Sequence, residues 1–212
     1  MSVARQIVEA GLVVIIRARS GEGLVEAARA LWEGGVRVME VTLNTPGALG
    51  VIEDIREGLP GMLCGTGTVL SVDDAVAARE AGAQFIVMPT LQADVVAFCK
   101  GEGLAVVPGC ASPTEMVAAR RAGADFVKVF PANRFGLVDI REVLEELPGL
   151  RLIPTGGVTP DNVTQYFAAG CAAVAAGATL VSKELLARRD WAGLSAATGR
   201  FVEAVGRARE GR

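Results

Sequence analysis

The most unusual residue of the sequence is a lysine inside an apolar strand pattern. Lys128 stands in the middle of DFVKVFP (125–131), whereas Lys100 and Lys183 fall in helical segments that suit solvent. Burying an ammonium group is costly and favours its neutral, nucleophilic form. A neutral amine that attacks a ketone gives a Schiff base, an electron sink for cleaving the neighbouring carbon–carbon bond. The alternative is a Lys128 that snorkels outward or pairs with a carboxylate for stability alone.

A second charge lies in the apolar segment VMEVTL (38–43), where Glu40 is the acidic residue. The chain has no histidine, which removes Ser-His-Asp triads, imidazole acid/base chemistry and zinc sites that need an imidazole ligand. Proton transfer must therefore use carboxylate, lysine, tyrosine, cysteine or water. Glu40 is the best-placed general base, with a pKa raised by burial; a buried ion-pair partner is the alternative.

Polar residues follow three other strand patterns. Arg17 comes after the first, Thr68 after the third in GTGT (65–68), and Thr155 after the seventh. The planar guanidinium of Arg17 suits a substrate carboxylate, although an ordinary salt bridge at the rim explains it equally well.

Two glycine-rich turns follow the seventh and eighth strand patterns, in PTGGVTP (154–160) and AAGAT (175–179). Glycine pairs alone are a weak signal, since any strand-to-helix turn can need them. In barrels, however, the loops after strands seven and eight commonly hold phosphate through backbone N–H groups. We therefore predict a site for phosphate or another anion at Gly156, Gly157, Gly177 and Ala178.

The elements that position these residues recur with a regular rhythm of small residues, amphipathic stretches and continuous apolar runs, as in parallel sheets covered on both faces. Eight strands are predicted, at 12–17, 36–43, 62–66, 85–88, 104–108, 125–130, 151–155 and 172–176. This predicts a single (β/α)8 TIM barrel over residues 1–212, with an extra N-terminal helix (2–10) below it and a C-terminal helix (190–208) at its side. Inward-facing Glu40 and Lys128 would then converge from opposite strands. An open doubly wound sheet is the alternative, but no GxGxxG loop follows the first strand.

Composition limits the partners. The net charge is −3 and no basic run is present, which argues against nucleic-acid binding. No segment has the length and apolarity of a signal peptide or membrane span. The four cysteines lack a CxxC pair, so we expect free buried thiols and a cytoplasmic protein.

Seven ordered motifs resemble those of the 2-keto-3-deoxy-6-phosphogluconate (KDPG) and 4-hydroxy-2-oxoglutarate (KHG) aldolase family. They are VIIRA (14–18), GGVRVMEVTLNTP (34–46), GTGTV (65–69), AGAQFIVMP (81–89), PGCASPTE (108–115), FVKVFPA (126–132) and PTGGVTPDN (154–162). The resemblance implies a class I aldolase, a lyase without metal or cofactor, that cleaves KDPG to pyruvate and glyceraldehyde 3-phosphate. It also implies cleavage of KHG to pyruvate and glyoxylate, and a homotrimer.

The resemblance also implies roles for individual residues. The Schiff-base lysine falls on Lys128 and the acid/base glutamate on Glu40. The remaining matches bind substrate: the pyruvate-binding Arg17 and Thr68, the strand-four Pro89, the aromatic Phe130, and the backbone phosphate contacts Gly156, Gly157 and Gly177.

Two departures from the family pattern bear on the substrate. Asn44 replaces an arginine of the best-known gluconate enzymes, and LNTP with PGCAS looks more like the 6-phosphogalactonate version, which is the alternative function. Ala178 replaces a frequent phosphate-binding serine, for which Thr179 can substitute. A sensor without turnover and a metal-dependent pyruvate aldolase are the other candidates; the first is disfavoured by Lys128 with Glu40, the second by the absence of histidine.

Overall fold

The computed structural model describes residues 1–210 as parallel strands alternating with helices. The strands are β1 (Leu12–Ile16), β2 (Val38–Thr42), β3 (Leu63–Gly67), β4 (Phe85–Val87), β5 (Ala105–Val107), β6 (Gly109–Cys110), β7 (Val127–Val129), β8 (Leu152–Pro154) and β9 (Val174–Ala176). The helices are α1 (Val3–Ala10), α2 (Leu24–Glu33), α3 (Ala48–Gly58), α4 (Val72–Glu80), α5 (Ala93–Gly101), α6 (Pro113–Arg121), α7 (Ala132–Phe135), α8 (Leu137–Glu146), α9 (Val163–Ala168), α10 (Lys183–Arg188) and α11 (Trp191–Glu210).

The strands form an α/β fold with a curled parallel sheet rather than the single continuous eight-stranded sheet expected from the sequence. One sheet has six strands in the order β5-β4-β3-β2-β1-β9, and a second has three in the order β6-β7-β8. Between the two sheets, a parallel bridge joins Thr155 to Ala175, and the Asp125 N–H donates to the Val106 carbonyl at 3.1 Å.

The fifth predicted strand, 104–108, overlaps β5, and the short β6 lies beyond its end. Pro108 has no N–H and separates β5, which pairs with β4, from β6, which pairs with β7. The other predicted strands each overlap an observed one, but most end one or two residues earlier or later. β7 is only three residues long, whereas the sequence predicted a strand over 125–130.

The core has two layers, as expected for strands covered on both faces. The larger apolar cluster packs the outer face of the strands against the helices. A smaller inner cluster contains Val13, Phe85, Val107 and Ile153, together with Ile7 from α1, which closes one end. The predicted N-terminal helix therefore caps the strands from below, while α11 packs against α2 and α9.

Burial raises the pKa of three cysteine thiols. Cys64, Cys99 and Cys110 are free and buried, and desolvation raises their pKa to about 12, about 11 and about 12. These thiols are therefore protonated and unreactive at neutral pH. Within residues 1–210, no helix is long and apolar enough to cross a membrane.

Candidate active site

Lys128 faces the interior from β7, where it pairs in register with Gly109 on one side and Ile153 on the other. Only 7% of the residue is exposed. Burial lowers the pKa of its ammonium group, the nearby Arg17 lowers it further, and Glu40 raises it in part. The Nζ atom lies 5.2 Å from the centre of the Phe130 ring. Lys128 therefore has the environment of a lysine held toward its neutral, nucleophilic form.

Glu40 faces the same interior from β2 and is 1% exposed. Burial raises the pKa of its carboxyl, whereas the charges of Lys128 and Arg17 lower it. Among the described residues, its Oε1 atom has no hydrogen-bond partner. Because a buried polar atom is normally paired, this oxygen is available to a bound molecule or a proton.

Lys128 and Glu40 meet at a small internal cavity of about 10 Å³. Thr155 also lines it, and the remaining lining residues are apolar, including Ile7 of the capping helix α1. This volume holds about one water molecule. The interior below the two charged groups is therefore filled, and a substrate can reach them only from the other end of the strands.

A cleft of about 880 Å³ opens at that other end. Ile15, Thr155 and Ala175 line both the cleft and the small cavity, so the cavity that holds Lys128 and Glu40 adjoins the base of the cleft, although neither charged residue lines the cleft itself. Arg17 and Phe130, two of the predicted substrate-binding residues, line its walls. The dimensions suit a small organic molecule that enters with one end at the base.

The predicted anion-binding turns line the cleft as well, through Gly156, Gly157, Gly177 and Ala178. Gly156 and Gly157 have φ angles of +100° and +80°, a conformation that strains other residues. The side chain of Asn162 accepts a hydrogen bond from the Thr159 N–H and donates one to the Gly157 carbonyl, both at 2.8 Å. These bonds fix the first turn without using the Gly157 N–H.

Thr68 and Pro89, which the resemblance placed in the site, line neither the small cavity nor the cleft. Thr68 follows β3 with a φ of +63°, and Pro89 follows β4; both are half-buried. Thr68 is adjacent to Gly67, the residue on which Glu40 rests, so it lies close to the base of the cleft.

Other cleft residues were missed by the sequence analysis. Arg19, Lys183 and Trp191 line the cleft, as does Asn44, which the sequence had marked only as a departure. Lys183 begins α10, five residues after Ala178. Its closeness in sequence to the second glycine turn could have indicated a place in the cleft, but its helical segment suggested an ordinary surface lysine.

Across the described range 1–210, no group of three or more His, Cys, Asp or Glu side chains is arranged to hold a metal ion.

Comparison with known proteins identifies the family of the chain. Residues 3–197 match the family model for KDPG and KHG aldolase. A 2-dehydro-3-deoxy-phosphogluconate aldolase of Treponema pallidum is 36% identical, over 92% of this chain and 93% of the relative. A 2-dehydro-3-deoxy-6-phosphogalactonate aldolase of Escherichia coli is 34% identical, over 80% of this chain and 83% of the relative.

Solved structures are similar over nearly the whole chain. A native KDPGal structure has a TM-score of 0.88 at 31% identity, covering 94% of this chain and 96% of its own. A KDPG aldolase of Legionella pneumophila, with pyruvate captured as a covalent carbinolamine, has a TM-score of 0.87 at 26% identity, covering 92% and 96%. A cube-shaped cage designed by fusing symmetric oligomeric domains has a TM-score of 0.88 at 31% identity, covering 94% and 73%.

The motif resemblance is thus confirmed by a match over most of the chain and by relatives above 30% identity. The chain belongs to the KDPG and KHG aldolase family, and it is an aldolase, a lyase.

Proposed function

We propose that the protein is a class I aldolase that cleaves KDPG to pyruvate and glyceraldehyde 3-phosphate, and KHG to pyruvate and glyoxylate. The observation that carries this proposal is the meeting of Lys128 and Glu40 at one small buried cavity next to the cleft. Burial lowers the pKa of the amine and raises that of the carboxyl. A nucleophilic amine and an unpartnered carboxylate oxygen that line one cavity are what Schiff-base chemistry with proton transfer requires.

The proposed reaction begins when Lys128 Nζ attacks the C2 keto carbon to form a carbinolamine. Glu40 supplies the proton with which the C2 oxygen leaves as water, and the Schiff base results. Glu40, now ionised, takes the proton of the 4-hydroxyl as the C3–C4 bond breaks, and the bonding electrons move into an enamine. The aldehyde leaves, C3 is reprotonated, and hydrolysis of the Schiff base releases pyruvate and frees Lys128.

Binding groups surround this centre in the proposal. Arg17 and Thr68 hold the keto-acid carboxylate, while Pro89 and Phe130 enclose the pyruvyl carbons. Thr155 lies between the base and the anion end of the cleft. The phosphate then lies against the turns at Gly156, Gly157, Gly177 and Ala178, where backbone N–H groups and the cationic Arg19 and Lys183 favour an anion.

Borohydride trapping tests this function directly. Reduction in the presence of pyruvate should add one pyruvyl group at Lys128, located by intact and peptide mass spectrometry, and Lys128→Met should take up none. Lys100→Gln is the matched control, because that lysine pairs with Asp125 at the surface. Labelling at Lys100 or Lys183, or no labelling, would end the Schiff-base proposal.

Substrate choice needs a separate measurement. Steady-state kinetics with KDPG, KHG and 2-keto-3-deoxy-6-phosphogalactonate should give the highest kcat/KM for KDPG. A higher value for the galactonate substrate would replace the proposal with its alternative, a 6-phosphogalactonate aldolase with the same mechanism.

We also propose that the chain forms a closed barrel in a single domain. The two sheets together make one closed (β/α)8 barrel, in which β5 and β6 act as one strand, and the 212 residues form one domain, of which 211–212 lie outside the described part. The hydrogen bond between Asp125 and Val106 and the bridge between Thr155 and Ala175 support closure at both sheet edges. A single cooperative unfolding transition is the expected result for one domain.

The proposed assembly is a cytoplasmic homotrimer. The similarity to a cage made from symmetric oligomeric domains supports an oligomer, and the free thiols of Cys64, Cys99 and Cys110 fit a reducing compartment. Native mass spectrometry should give three times the 21.9 kDa chain mass.

A further inference from the structure

Arg17 stands at the start of a loop, 17–23, that needs a fixed conformation if its guanidinium is to bind a carboxylate. The residue itself is exposed, and it is followed by Ala18, whose N–H belongs to the peptide unit next to the Arg17 Cα. That N–H donates a hydrogen bond of 3.1 Å to the Oγ1 of Thr45, 27 residues away. The backbone direction after Arg17 is therefore set by a side chain of another loop.

The acceptor is itself held in place. Thr45 is 1% exposed, and its hydroxyl lies 3.3 Å from the hydroxyl of Thr42, another buried residue. The Thr45 N–H also donates to the Thr42 carbonyl at 2.9 Å. Two bonds thus fix Thr45 to the end of β2, two residues beyond Glu40.

The remaining contacts of the Arg17 loop are weaker anchors. Within the described residues, Glu22 pairs with Arg189, but both side chains are more than half exposed, and exposed ion pairs contribute little. Gly21 packs closely on Pro46, where an added Cβ would lie 2.9 Å from the Pro46 carbonyl oxygen. This contact again places the loop on the turn that contains Thr45.

We propose that Thr45 is a positioning residue that aligns Arg17 with Glu40 and Lys128 through the Ala18 N–H···Thr45 Oγ1 hydrogen bond. The inference rests on the proposed function, since it assigns Arg17 the substrate carboxylate. Thr45 does not line the cleft and does not touch substrate. Its hydroxyl couples the loop that binds the carboxylate to the strand that carries the acid/base group.

Thr45→Val tests this inference, because it keeps the shape of the side chain and removes the acceptor. A misplaced binding group should raise the pyruvate concentration for half-maximal borohydride trapping, and KM for KHG, by about tenfold, while kcat changes less than about threefold. Thr45→Ser restores the hydroxyl and should return both values to within about twofold of the wild type. Thr45→Ala replaces Thr45→Val in the comparison if the valine variant does not fold.

The matched control is Thr198→Val. Thr198 is equally buried, and its Oγ1 makes one hydrogen bond of 2.7 Å to the Leu194 carbonyl in α11, away from the cleft. Its loss should lower the melting temperature and leave half-saturation unchanged. A general loss of stability is thereby separated from misplacement of Arg17.

A double variant decides between positioning and a merely structural role. If Thr45 acts through Arg17, Thr45→Val should change half-saturation by less than about twofold in an Arg17→Gln background. An equal factor in both backgrounds, or an unchanged half-saturation in Thr45→Val, would overturn the inference while wild-type trapping at Lys128 leaves the aldolase function standing. Absence of the wild-type adduct would overturn both.

Discussion

Gly67 determines where the Glu40 carboxylate can lie, and a single added methyl group tests how closely catalysis depends on that position. A Cβ on Gly67 would lie 2.5 Å from Glu40 Oε1 and 2.9 Å from its Cδ. The shorter distance is about 0.9 Å inside the 3.4 Å at which ordinary van der Waals contact begins. In Gly67→Ala, something at the base of the cleft must move.

The backbone cannot absorb this displacement easily. β2 and β3 pair in register over five residues, from Val38–Leu63 to Thr42–Gly67. The carboxylate must therefore retreat by close to 1 Å, a misplacement that can cost about a hundredfold in rate. Overpacking of this kind also lowers the free energy of unfolding by about 1–3 kcal/mol. We expect kcat to fall by about ten- to a hundredfold.

Gly65→Ala supplies the matched control. Gly65 lies two residues earlier on the same face of β3, and its added Cβ would lie 2.6 Å from ring atoms of Phe85. Both variants are therefore overpacked, but only one displaces Glu40. The assay is kcat for KDPG cleavage, followed by pyruvate release, together with the melting temperature. Equal losses of kcat in the two variants, or a wild-type kcat in Gly67→Ala, would refute the positional role of Glu40.

Three further outcomes are expected. Glu40→Gln should keep the fold and lower kcat by about a hundredfold or more, the scale of a lost acid/base group; an unchanged kcat would make Glu40 structural. The rate of pyruvate trapping should rise with pH, because only the neutral amine of Lys128 attacks the keto group. The lowered pKa of Lys128 should place the midpoint of this rise below pH 10.5, the ordinary lysine pKa. A midpoint at or above pH 10.5 would contradict this. Gly157→Asp should raise KM for KDPG at least about tenfold, or roughly 1.4 kcal/mol, and KM for KHG much less, with neutral Gly157→Asn as the control for bulk; equal effects on both substrates would argue against the phosphate site.

The meeting of Lys128 and Glu40 was predictable from the sequence because its signal is local. A lysine or glutamate within an apolar run is visible without knowing the fold, and the repeating strand pattern then places Lys128 and Glu40 in facing strands. The structure brings both to one cavity. The same reasoning identified Arg17 and Thr155, since polar residues at the carboxyl ends of parallel strands share one end of the sheet.

Features that depend on contacts between loops were not predictable in this way. Thr45 has the appearance of an ordinary turn residue, and only its hydrogen bond to Ala18 connects it to the site. The two-residue strand β6 after Pro108 was not predicted, because Gly109 and Cys110 do not form an apolar run of strand length. Pro89 came from family resemblance alone and Thr68 from its place after a strand as well, and neither lines the cleft.

Arg17 affects the pKa of both Lys128 and Glu40, which matters because the chain has no histidine to act as a base. Burial alone favours a neutral Lys128 with a protonated Glu40, whereas the attraction between the two favours an ammonium with a carboxylate. Neither state combines the free amine with the ionised base. A nearby guanidinium lowers the pKa of both groups, and so favours the neutral amine and the carboxylate together. In the proposed mechanism, Arg17 thus binds the substrate carboxylate and also offsets part of the pKa rise that burial imposes on Glu40.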